Sequence, residues 1–162
     1  MKARIAFGVG SKASVSSAPP AAPERRYGLQ LVRQRLHQAT FREAVLSAYG
    51  GRCAISGLPE PRLIDAAHIM ADAHEELGQP IVQNGLPLSK IHHAAFDANL
   101  IGIDPDFRVH VSDALMSIHD GPMFEHGVKG IAGRLLRPPQ RDIDKPDRER
   151  LAQRFELFAQ SA

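Results

Sequence analysis

Four polar residues of this 162-residue chain stand in an order and spacing suited to hydrolysing a phosphate ester: His68, Asn84, His93 and Asp97. They lie in the segments DAAHI, QNGLPL and SKIHHAAFD. Cutting a phosphodiester takes a base to activate water, neutralisation of charge on the non-bridging oxygens, and help for the leaving 3′ oxygen. A neutral imidazole accepts a proton near pH 7, because its unperturbed pKa lies there. A divalent cation stabilises both the crowded phosphorus centre and the departing oxygen. An asparagine amide donates and accepts, so it can bond backbone and imidazole together. His93 and Asp97 are four apart and therefore share one helix face, a turn from each other. One imidazole and one carboxylate leave coordination positions open for water and phosphate. Each residue alone has a blander reading: a structural histidine, an Asn-Gly turn, polar groups at a helix end, with Phe96 in the core. Order and spacing together outweigh those readings.

The elements that must position these residues are legible in outline. Leu29, Val32 and Leu36 give helical spacing over Tyr27 to His37. Thr40-Phe-Arg-Glu43 is a capping-box pattern opening a second helix, with Phe41, Val45 and Leu46 on one face, stopped by Gly50-Gly51. Arg33, Arg35 and Arg42 fall on the other side of these helices, available to a nucleic-acid backbone. Arg52 to Ser56 and Leu63 to Met70 read as a β-hairpin with a long connection, and the second strand carries His68. Gly78 and Pro80 break an irregular loop. Ser89 caps a helix from Lys90 to about Ala98. Ile101 to Val111 reads as two strands around an Asp-Pro-Asp turn, and Asp147 to Gln160 as a closing amphipathic helix with Leu151, Phe155 and Phe158 inward.

The length suits one domain with tails. Seven Phe, two Tyr and no Trp leave the core to Leu, Ile, Val and Ala. A single cysteine, Cys53, excludes an internal disulfide and a four-cysteine zinc site. No apolar stretch of ~18 residues is present, and MKARIAFGVG is too short and interrupted for a secretory core, so the cytoplasm is the expected compartment. Residues 1–26, rich in Ser, Ala and Pro, read as a linker-like segment, with a short strand conceivable at Ala3–Phe7. Net charge is +2, but Met1 to Arg62 holds ten Lys and Arg against three Glu, while the remainder holds ten against fifteen acids. A basic N-terminal part beside the four residues suits a phosphate-backbone ligand. Arg52 and Lys90 join the arginines above as candidate contacts.

On A-A-H-I, then N-G-L-x-L, then H-x-x-F-D, the sequence resembles the HNH endonucleases, the ββα-metal or His-Me finger group, over about Tyr49 to Ile103. The resemblance implies an α+β fold: a ββα-metal core with N-terminal helices and a C-terminal helix. The nuclease domain would run over 27–162, with its motif core at 49–103. It makes His68 the general base and Asn84 the residue that orients it or ties the loop. It also makes His93, nine residues after Asn84, a metal ligand together with Asp97. There are two departures. Many relatives carry an acid or histidine immediately before the strand histidine, where this chain has Ala67; Asp65 could substitute only if a bulge turned it to the same strand face. The doublet His92-His93 offers two histidines, and the spacing and the i,i+4 partner favour His93. Gly57-Leu58 stands where many relatives place a second cysteine, so Cys53 is read as a small buried hydrophobe.

The implied activity is divalent-metal-dependent cleavage of DNA in restriction or defence. Mg²⁺ is the expected ion by abundance, with Mn²⁺, Ni²⁺ or Zn²⁺ binding this donor pair more tightly. Target choice would come from another domain or subunit, and the linker-like start suggests that longer relatives carry one upstream. A homodimer would account for double-strand breaks. The competing expectations are a non-catalytic DNA-binding module that keeps the fold, and a toxin-type nuclease.

Overall fold

A computed structural model describes residues 22–119 and 121–161. The chain divides into two units, residues 1–33 and 34–162. Helix α1 (Ala22–Ala48) begins in the first and ends in the second. Of the expected linker, Ala22 to Arg26 are helical; the rest of it, with the conceivable strand at Ala3–Phe7, lies outside the described residues.

The two expected N-terminal helices are one. Thr40 does not cap a new helix; its hydroxyl donates to Leu36 O at 3.0 Å, the bond a mid-helix threonine makes one turn back. The capping-box pattern is outweighed by uninterrupted helix formers on both sides. Gly50 and Gly51, at φ 62° and 68°, do end the helix. Their amides bond Ser47 O and Leu46 O, satisfying the last carbonyls as a left-handed cap requires.

The site is built from β1 (Ile64–His68), β2 (Gly85–Ser89) and α2 (Lys90–Asp97). β1 and β2 are antiparallel in an unbroken register from Ile64↔Ser89 to His68↔Gly85. The expected pairing of Arg52–Ser56 with this strand is therefore corrected: β2 is the partner. Residues 53–57 form a tight turn instead, closed by Gly57 N to Cys53 O at 2.8 Å and tied to the sheet by Ala54 N to Pro87 O at 2.7 Å. Ser89 caps α2 as expected, accepting from His92 N.

Next come the expected hairpin, β3 (Ile101–Ile103) with β4 (Val109–Val111), and the short helices α3 (Asp113–Met116) and α4 (Pro122–Gly127). The closing helix is α5 (Arg148–Ala159), capped by Asp147. Leu151 and Phe158 are buried as expected, while Phe155 is half-buried against His110 and Phe158. The core joins Ile64, Leu86, Leu88, Phe96, Ile103 and Leu151, and is mainly aliphatic, with Tyr49 as a second ring in addition to Phe96. Among the described residues no helix is long and apolar enough to cross a membrane.

Candidate active site

His68, His93 and Asp97 line one cleft of about 560 Å³, together with Asp72, His74 and Arg154. His68 ends β1 directly opposite Gly85. Its ring stacks on Phe41 of α1, with centroids 4.0 Å apart and planes 11° from parallel. Gly85 permits that approach: a Cβ there would lie 2.3 Å from Val45 Cγ2 and 2.9 Å from Phe41 Cζ. Among the described residues the imidazole makes no hydrogen bond, and its Nε2 is buried without a partner. Burial holds the His68 pKa below its ordinary 6.5; Asp72 and Asp97 pull upward, and His93 adds to the depression. The ring is thus neutral at pH 7 and is held by stacking, with its nitrogens unclaimed by the fold.

Asn84 is wholly buried. Its Oδ1 accepts from Met70 N at 2.9 Å, and its Nδ2 donates to Met70 O at 3.0 Å and Gln79 O at 3.1 Å. It bonds backbone only, closing both ends of the loop that follows His68; the imidazole is not among its partners. Of the two roles the resemblance allowed, loop tie is the one these bonds perform. Arg150 of α5 holds the same loop, donating to Leu77 O and Gln79 Oε1.

His93 Nε2 and Asp97 Oδ2 lie 3.2 Å apart, one turn from each other on α2. No third His, Cys, Asp or Glu joins them in a cluster among the described residues. An imidazole and an exposed carboxylate, converging in an open cleft, fit a cation that keeps positions for water and substrate; they do not form a closed structural site. His92 is directed elsewhere: buried, its Nε2 donates to Gly127 O at 2.8 Å and its Nδ1 lies 3.7 Å from Cys53 Sγ. Cys53 is buried as expected, yet it is not merely a hydrophobe. Burial raises its pKa, but His92 and the amides of Ser56 and Ser89 outweigh that and bring it down to about 6. A second cysteine at 57 is disfavoured by backbone: Gly57 sits at φ 75°, and a Cβ there would also displace the Arg137 side chain.

Among the described residues, the other nominated ones do not line the cleft. The unbroken β1 register keeps Asp65 on the strand face opposite His68, where it pairs with Arg42 at 3.9 Å. Arg42 also donates to Pro61 O and Ile64 O, so its guanidinium serves the fold. Arg52 donates to Gly57 O, and Arg35 is exposed. Lys90 is exposed beside a separate, largely apolar cavity next to His92. The Arg33 side chain lies outside the described residues. Sequence reasoning missed Phe41, Asp72, His74 and Arg154. The first reads as ordinary core, and the last is 57 positions beyond Asp97 with no spacing to flag it.

Residues 53–104 match the HNH endonuclease family, so the resemblance carried by the motifs holds for the segment that contains His68, Asn84, His93 and Asp97. The ββα unit just described is the α+β core that it implies. Among solved structures, the chain is similar to a "Modification dependent TagI restriction endonuclease", at 18% identity and a TM-score of 0.48. The likeness covers 72% of this chain and 36% of that one, so the chain spans about a third of that enzyme's length. A search of curated proteins finds no match.

Proposed function

We propose that the protein is a metal-dependent endonuclease that hydrolyses DNA phosphodiester bonds. The observation that carries this reading is the shared cleft: a neutral, unclaimed imidazole from β1 and an imidazole–carboxylate pair from α2, all inside the segment that matches the HNH family. His68 is the general base, taking the proton of the attacking water. Phe41 fixes its plane, and Asn84 fixes the loop that leaves it, so little reorganisation is needed at the moment of proton transfer. His93 and Asp97 hold a divalent cation, Mg²⁺ in the cell, with Mn²⁺, Ni²⁺ and Zn²⁺ as tighter alternatives. When bound, that ion supplies charge neutralisation at the phosphate and at the departing oxygen.

A setting in restriction or defence belongs to the proposal and rests on the branch of the motif. A core that touches the sugar-phosphate backbone reads little base sequence, so target choice falls to another domain, subunit or second copy. The test is cleavage of supercoiled plasmid by the purified chain with Mg²⁺, Mn²⁺ or EDTA. Nicking or linearisation that EDTA abolishes is the expected result. Retained DNA binding with no cutting under any metal would favour the binding module that keeps the fold.

A further inference from the structure

Among the residues lining the cleft, Arg154 is the sole Lys or Arg. It comes from α5, outside the segment that matches the HNH family. Its guanidinium is fixed on three sides. Nη1 donates to Asn99 Oδ1 and Nη2 to Phe96 O, each at 2.5 Å, and the group lies 4.6 Å over the Phe96 ring. The anchor is itself specialised. Asn99 sits at φ 55° just past the end of α2, a left-handed position that asparagine tolerates, and its Oδ1 is the acceptor that Arg154 uses.

Two bonds leave the rest of a guanidinium's five N–H donors uncommitted. The charge is also unneutralised by direct contact. Arg62, Arg141, Arg148 and Arg150 each have a carboxylate within ion-pair distance, whereas Arg154 has none among the described residues and feels Asp97 only through space. Such an arginine, half-buried and always charged, is suited to a planar oxyanion. Of the cleft's other charged lining groups, Asp97 is committed to the divalent cation and Asp72 repels a phosphate, as both do before the cation binds. A permanent cation held beside them answers that repulsion.

We propose that Arg154 is the phosphate-binding residue of this site, its free N–H groups contacting non-bridging oxygens of the DNA at or next to the bond that is cut. This rests on the nuclease reading and adds to it a residue that the motif does not contain. The guanidinium makes the contact from a preset position, so it stabilises developing charge without reorganising.

The experiment uses the full chain with Arg154→Gln and Arg154→Lys. Plasmid cleavage gives kcat/KM, calorimetry gives Mn²⁺ affinity, and binding of a fluorescein-labelled DNA duplex across a salt series in EDTA gives the slope of log K against log salt. Glutamine removes the charge and, being two bonds shorter, also the bonds from Nη1 and Nη2 to Asn99 Oδ1 and Phe96 O, so a modest fall in Tm is expected from the lost brace alone. Its kcat/KM should fall about 100-fold, the loss typical of one preorganised donor. The salt slope should shrink by ~0.9, the value of one phosphate contact, with Mn²⁺ affinity unchanged. Lysine should restore the slope and part of the rate. A wild-type slope in the Gln variant, whatever its rate, or a loss of rate matched by a loss of Mn²⁺ affinity, would overturn the assignment in favour of a simple brace at the end of α2. Should the Gln variant fail to fold, the Lys variant decides: a slower rate at unchanged Mn²⁺ affinity supports the phosphate contact, and a wild-type rate contradicts it. The slope needs no cleavage. A wild type that never cuts would remove the nuclease reading, while the slope alone would still decide whether Arg154 holds a phosphate.

Discussion

Two features of His68 suit the proposed role of base: an aromatic plate against one face, and a partly dry setting that disfavours its charged form. On the proposed reading neutral His68 is the active form, so the rate should rise with pH and level off. Because its pKa lies below 6.5, the midpoint of that rise in kcat/KM should fall below 6.5 too. A pH–rate profile at saturating Mn²⁺ checks this, and a midpoint above 6.5 would contradict the base assignment. The doublet separates just as sharply. His93→Ala or Asp97→Ala should weaken Mn²⁺ binding by more than ~10-fold, because even an outer partner of a metal ligand is worth about that. His92→Ala should leave Mn²⁺ affinity alone but lower stability by about 1–3 kcal/mol, since it strips partners from the Cys53 thiol and the Gly127 carbonyl. Calorimetry and thermal melts of the same three variants separate the two roles.

At the scale of elements, the approach of α1 to the β1–β2 hairpin sets the plate against which His68 stacks. Gly85 is extended rather than left-handed, so its value is space, not conformational freedom. Gly85→Ala would drive a methyl into Val45 and Phe41. It should cost about 1–3 kcal/mol by overpacking, and should slow cleavage further by displacing the plate under His68. A denaturant melt beside a cleavage rate measures both; unchanged stability would mean that the contact is looser than described. The motif's Asn-Gly therefore reads as two devices, a loop tie at 84 and a clearance at 85. The sequence made the first legible through the amide's bonding capacity. It hid the second, because clearance depends on a helix about forty residues upstream. The misplaced helix break at Thr40 has a similar origin: a capping pattern is local, and the continuous run of helix formers around it is the stronger signal. The strand partner is not legible because Arg52–Ser56 and Gly85–Ser89 are both short apolar runs, and only the register at His68 distinguishes them.

For the whole molecule, the site was legible where its parts are close in sequence. His68, Asn84, His93 and Asp97 fall within thirty residues, and their spacing converts directly into one strand, one loop and one helix face. The contribution of α5 was not legible, since it comes from packing. Gly102 of β3 has no side chain where Phe158 presses in: a Cβ there would lie 2.5 Å from that ring. The fit brings α5 against the hairpin, with Arg154 at the cleft and Arg150 on the loop. Basic residues nominated from composition went the other way: Arg42 and Arg52 serve backbone carbonyls, and the cation in the cleft comes from the acidic half of the chain.

The measurement that bears most directly on the proposed function is cleavage of supercoiled plasmid by wild type and His68→Ala in parallel, with Mn²⁺ affinity measured on the same preparations. The expected result is metal-dependent cutting by wild type that falls at least ~100-fold in the variant, the lower range for loss of a positioned base, at unchanged Mn²⁺ affinity. Equal cutting by both proteins, or loss of Mn²⁺ binding in the variant, would contradict it.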